Sequence, residues 1–169
     1  MVTSAEPARC EWPIGAAMEI KDFLAPQQVL INRHASDRAN LLNHLAHRAA
    51  ATLHLPYEMI LGALSKREEL GSTGTGNGVA LPHAQLSDVS KPFGMLARLN
   101  KAIDFDAIDG EPVDIVCLLL LPADSEEGGH ALACAARVLR DAEVLRNLRR
   151  AADHTEAYRA LVASTNSRD

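Results

Sequence analysis

Ile115-Val116-Cys117-Leu118-Leu119-Leu120-Leu121 is the longest apolar run in the chain. It is too short to cross a bilayer, which takes roughly 20 apolar residues in helical form. It lacks the alternation of apolar and polar positions that marks a strand with one wet face. A strand over 113–121, central and covered on both faces, accounts for it. Such a strand requires a sheet with helices to cover it, so the rest of the chain must supply both.

The rest of the chain can do so. Val29-Leu30-Ile31, residues 79–81 and residues 93–99 read as further strands. Ser36 is a plausible N-cap for a helix reaching Leu53, with Leu42, Leu45, Ala46, Ala49 and Leu53 on its apolar face. Pro56 suits the first turn of a second helix ending near Leu70, with Gly71 as its stop and Arg67 in its last turn. A third helix is expected over 126–140, carrying His130 in its first turns. Asp141 can cap a fourth to about Ala151, and 156–162 gives a fifth. The pattern predicts one α/β domain with a mixed β-sheet flanked by helices. With 47% hydrophobic residues but only 4% aromatics, its core must be built of Leu, Val, Ile and Ala.

Several function classes recede on composition. The formal net charge is −5, which argues against a nucleic-acid surface. The one basic cluster, Arg137, Arg140, Arg146, Arg149 and Arg150, is diluted by Asp141, Glu143 and Asp153 and reads as a solvated helical face. Cys10, Cys117 and Cys134 make no spaced pair; the latter two read as small buried hydrophobes, and the unpaired count suits a reducing cytoplasm. Residues 1–17 have no apolar core and no periodicity. They are read as a flexible N-terminal extension rather than a signal peptide, with the folded domain at 18–169. His44 and His47 could form a metal pair, but no third ligand is near; they read as exposed histidines without a role.

The chemistry concentrates in Gly71-Ser72-Thr73-Gly74-Thr75-Gly76-Asn77-Gly78-Val79-Ala80-Leu81-Pro82-His83. Glycine-rich backbone can bring N–H groups close to an anion. Pro82 fixes its own φ and holds Leu81 extended, so His83 is presented at a strand end by a rigid dipeptide. The nucleotide P-loop does not fit, because Asn77 and Gly78 follow Gly76 where Lys and Ser or Thr are needed. The dinucleotide fingerprint does not fit either, since a strand rather than a helix follows.

Taken as a string, Arg67-Glu68-Glu69-Leu70-Gly71-Ser72-Thr73-Gly74 with Gly78-Val79-Ala80-Leu81-Pro82-His83-Ala84 resembles enzyme IIA of the bacterial phosphoenolpyruvate:sugar phosphotransferase system. The branch is the mannitol/fructose type and, within it, the nitrogen-regulatory proteins. The likeness continues through the stretch from Ile103 to Val116, then Leu119-Leu120-Leu121-Pro122, Gly129-His130-Ala131 and Val138-Leu139-Arg140-Asp141. It implies the enzyme IIA fold, a phosphoryl group carried on Nε2 of His83, His130 as second active-site histidine and Arg67 as the arginine near the site. It also implies an HPr-like phosphocarrier as donor, and regulatory proteins or an enzyme IIB downstream. The lone domain favours the regulatory branch, tied to nitrogen and potassium homeostasis. A sugar-specific enzyme IIA with separate B and C domains stays open, as does an interaction module whose histidine does not react.

The residues suit that chemistry. A neutral imidazole is a competent nucleophile toward phosphorus, because its ordinary pKa is about 6.5, and the phosphoramidate it forms is labile enough to pass on. The phosphoryl oxygens must be neutralised. Candidates are the loop N–H groups from Gly74 to Gly78, the Ser72 and Thr73 hydroxyls, the Arg67 fork and His130 near a helix start. No cofactor, nucleotide site or kinase motif is implied. A metal-dependent hydrolase using His83 and His130 would need a third ligand from Asp88, Asp104 or Asp106, and no spacing supports one. An apolar docking patch is expected among Leu70, Val79, Ala84 and Leu86, with Leu86 the most exposed.

Overall fold

The computed structural model of the protein describes residues 17–164. The extension expected at 1–17 lies outside the described residues but for Ala17, as does Cys10. Two 3-10 turns, Ile20–Asp22 and Pro26–Gln28, lead into strand β1 (Val29–Arg33). Helices α1 (Arg38–Leu53) and α2 (Tyr57–Glu69) follow. Then come strands β2 (Gly74–Gly76), β3 (Val79–Ala80), β4 (His83–Leu86), β5 (Phe93–Ile103) and β6 (Val113–Pro122). Helices α3 (Glu126–Val138), α4 (Ala142–Arg150) and α5 (His154–Ala163) close the domain.

The sheet is mixed, in the order β1-β5-β6-β3-β2, with β4 also on β6. β1 runs parallel to β5, β5 antiparallel to β6, and β3 and β4 both parallel to β6. The apolar run explains itself at this level. Val116, Leu118 and Leu120 point into a core with Leu45, Ile60 and Leu64 of α1 and α2. Ile115, Cys117, Leu119 and Leu121 point into a second core with Ala131, Cys134, Leu145 and Leu161 of the last three helices. Each buried leucine contributes about 1.5–3 kcal/mol relative to exposure, so β6 is buried as deeply as its sequence demands. Cys117 and Cys134 are buried thiols, and desolvation pushes Cys117 up to about 12.

Three local readings change. Asp37, not Ser36, caps α1: its carboxylate accepts the Asn40 N–H at 2.8 Å. A carboxylate there is the stronger acceptor and displaces the cap by one residue. The glycine-rich stretch is not an open loop, because β2 and β3 form an antiparallel hairpin. Its turn is Asn77-Gly78, both in the left-handed region (φ 58° and 77°), the geometry that two-residue hairpins favour. Arg149 lies on the exposed face of α4 as expected, but it is not idle there. Its Nε and Nη2 each donate to the Asp114 carboxylate at 2.9 Å, and Nη2 donates to the Asn77 carbonyl at 2.6 Å. Asp141 does cap α4, as expected.

Candidate functional site

His83 opens a strand of its own rather than ending the one before it. Pro82 has no N–H, so the ladder on β6 breaks at Leu81-Pro82 and resumes as β4; the Pro82 carbonyl still accepts from Leu119 N–H at 2.9 Å. His83 pairs with Leu119 in parallel register. Paired residues share a face, so the half-buried His83 ring emerges on the side of the sheet that α3 covers.

The ring is held at both nitrogens. Nδ1 lies 2.8 Å from the Leu81 carbonyl, and Arg67 Nε donates to Nε2 at 3.3 Å. A guanidinium has only donors, so Nε2 must offer its lone pair. The proton therefore sits on Nδ1 and is donated to Leu81. Nε2 is the nitrogen left with a reactive lone pair, and it faces a permanent cation. Arg67 reaches His83 from the last turn of α2, steadied by Nη1 donating to the Gly71 carbonyl at 2.9 Å.

The rest of the segment is committed elsewhere. The Ser72 hydroxyl donates to the Phe105 carbonyl and accepts Gly74 N–H at 3.0 Å. Thr73 is buried; its hydroxyl donates to Glu68 Oε1, and its N–H faces Oε2 at 3.4 Å. A Cβ on Gly74 would lie 2.8 Å from Ala107, so glycine stands there for close packing between backbones. The Gly78 carbonyl accepts from Asp114 and Ile115 N–H. Counted along β6 to Leu119, that is four to five residues from His83, roughly 15 Å. The structure thus brings Arg67 to His83 but does not bring Gly78 there. It turns the Thr73 hydroxyl to Glu68, because the hairpin consumes the segment.

His130 is exposed in the second turn of α3 and makes no side-chain hydrogen bond or ion pair among the described residues. Its helix sits where His83 emerges: a Cβ on Gly128 would be 3.2 Å from Leu121 Cβ, two residues along β6 from Leu119. The expected docking patch is different. Val79, Ala84 and Leu86 are buried because each faces a core, and Leu70 alone of that set is exposed, at 86%. Ile108 matches it at 86%, and its N–H donates to Gly74 O across the intervening segment. Among the described residues, no three His, Cys, Asp or Glu side chains converge as a metal would require.

Two residues escaped the sequence reading. Glu68 is buried, and Arg38 lies 3.7 Å from it. Glu68 was detectable: the core stripe of α2, Ile60 and Leu64, continues at the next helical step to Glu68, an acid in an apolar position. Arg38 left no such signal.

Residues 22–164 match the family described as phosphoenolpyruvate-dependent sugar phosphotransferase system, EIIA 2. A nitrogen regulatory protein of Bradyrhizobium diazoefficiens is 39% identical over 146 residues, covering 85% of this chain and 95% of its own. The crystal structure of nitrogen regulatory protein IIA-Ntr from Neisseria meningitidis superimposes with a TM-score of 0.77 at 25% identity, over 84% of this chain and 98% of that one. IIA mannitol from Escherichia coli shares the fold, with a TM-score of 0.70 at 16% identity over 81% and 97% of the two chains.

Proposed function

Because this chain belongs to the phosphotransferase system EIIA 2 family, we propose that it is a phosphocarrier whose His83 takes a phosphoryl group from a phosphohistidine on a small HPr-like protein. The observation that carries this reading is the His83 ring, with its Nδ1 proton on the Leu81 carbonyl and its Nε2 lone pair turned to Arg67 Nε.

In the transfer the donor's P–N bond breaks as the Nε2–P bond forms. Positive charge passes from the donor ring to the His83 ring, where the Leu81 carbonyl accepts the Nδ1–H and steadies it. Arg67 Nε occupies the lone pair in the resting site. It must move off as phosphorus approaches, and the Gly71 tether at Nη1 keeps it within reach of the phosphoryl oxygens, where its fork neutralises charge. His130 acts as the second histidine, reaching the same group from α3. Ser72 and Gly74 contribute by fixing the segment: the Ser72 hydroxyl bridges the Phe105 carbonyl and the Gly74 N–H, and Gly74 packs against Ala107.

The carrier docks around His83, with exposed Leu70 and Ile108 as apolar contacts. Phosphorylation then adds roughly two negative charges beside that patch, enough to switch a docking surface by repulsion and desolvation. The relatives named nitrogen regulatory proteins support a regulatory outlet; its targets in this reading are nitrogen- or potassium-related proteins of the cytoplasm.

The test is intact mass after incubation with phosphoenolpyruvate, enzyme I and a phosphorylated HPr-like carrier. Wild type gains one acid-labile phosphoryl group and His83→Ala gains none. No gain by wild type from a carrier shown to be charged would sink the relay.

A further inference from the structure

Glu68 is the one charged residue that is buried among the described residues. A lone carboxylate there is costly, and an aliphatic residue would simply extend the Ile60 and Leu64 stripe. The carboxylate is instead fully engaged. It takes the Thr73 hydroxyl and faces the Thr73 N–H at 3.4 Å and Arg38 Nη1 at 3.7 Å. Arg38 in turn pairs with Asp106 at 3.4 Å, donates to the Phe105 carbonyl at 3.4 Å and lies over the Phe105 ring. Ser72 donates to that same carbonyl. The web therefore ties the start of α1, the end of α2 and the 104–106 turn to residues 72 and 73.

Immediately before those residues lies Gly71, whose carbonyl tethers Arg67. Buried ion pairs are poor sources of stability compared with apolar side chains of similar size, and some proteins keep them for the geometry they fix. Resting on the phosphocarrier reading, we propose that Glu68, braced by Arg38, is a positioning residue: it sets the 71–73 peptides so that Arg67 aims its fork at His83 Nε2. Transfer of a phosphoryl group depends mainly on such aim, and a displacement of about 1 Å can cost a hundredfold in rate.

The test uses Glu68→Leu and Glu68→Gln, each in the wild-type and Arg67→Ala backgrounds. Single-turnover phosphoryl uptake from a charged HPr-like carrier is measured beside the denaturation midpoint. In the otherwise wild-type chain, uptake per folded molecule slows by at least about tenfold; Glu68→Leu also lowers the denaturation midpoint, because it leaves the Thr73 hydroxyl and N–H without their acceptor and removes one partner of Arg38. In the Arg67→Ala background the same change costs less than about twofold, since the residue it acts through is gone. A second readout needs no phosphate: the Arg67 Nε–H resonance of the unphosphorylated protein exchanges slowly with water, and the Glu68 variants lose that protection. Wild-type uptake rates in the Glu68 variants, equal slowing in both backgrounds, or unchanged Nε–H protection would each overturn the proposal. If Glu68→Leu does not fold, Glu68→Gln is judged alone by the same criteria. If wild type takes no phosphoryl group, the phosphocarrier reading falls, and the exchange measurement still decides whether Glu68 positions Arg67.

Discussion

The hairpin tip of the 71–83 segment and its His83 end do opposite things with similar materials. At the far end Asn77 and Gly78 turn a hairpin, clamped by Arg149 from α4 and by Asp109, whose carboxylate accepts the Asn77 N–H at 2.9 Å. At the near end a second arginine, Arg67, meets a ring nitrogen with an open lone pair. The far arginine has spent its charge on Asp114 in a two-point pair. The near one makes no ion pair with a carboxylate among the described residues, so its charge remains available to an anion. What separates the two arginines is the partner, not the residue or the glycines around it: a carboxylate closes one, and the other faces a neutral ring.

Gly78→Val is the hardest blow to this contrast. Its φ is +77°, and a Cβ would lie 2.5 Å from Arg149 Nη2 and 2.8 Å from Asp114 Oδ1. We expect a loss of at least about 2 kcal/mol in unfolding free energy, with phosphoryl uptake per folded molecule unchanged. A large rate loss at unchanged stability would instead make the hairpin turn a phosphate cradle. Arg67→Lys probes the near end. Lysine carries a compact ammonium and lacks the planar fork whose Nε and Nη1 reach His83 and Gly71 from separate positions. Uptake should slow about tenfold, about 1.4 kcal/mol of barrier, while stability moves by less than about 0.5 kcal/mol. Comparable losses in both quantities would show that this arginine is structural as well.

Much of this was legible beforehand. The unbroken apolar run 115–121 required a strand with two covers, and β6 has them. Pro82-His83 announced a presented imidazole. The glycines matter by their order rather than their density: Asn77-Gly78 between extended residues is a hairpin signal by itself. Leu86 reads as exposed from the sequence because nothing there marks β4, whose alternation buries Ala84 and Leu86. The contacts of Arg38 with Glu68 and Phe105 join residues far apart in sequence, and no local pattern encodes them.

The smallest effect expected lies in acid and separates the two ends by pH. Asp109 is held below its ordinary value of 3.8, first by the Asn77 N–H and then by the Glu111 N–H. Those hydrogen bonds favour the ionised carboxylate in the folded state. The stabilisation is therefore fully present above pH 3.8 and is lost as pH falls through the lower folded value. Asp109→Asn removes the titration while keeping one acceptor. The difference in denaturation midpoint between wild type and Asp109→Asn should stay constant from pH 7 to about 5 and narrow below pH 3.8. A difference that stays flat to pH 2 would mean that the hairpin clamp does not depend on the Asp109 charge. Arg149 with Asp114 would then hold that end without it. Phosphoryl uptake near neutral pH should be the same in both proteins, because the clamp secures the strand from its far end and leaves the His83 ring to Leu81 and Arg67.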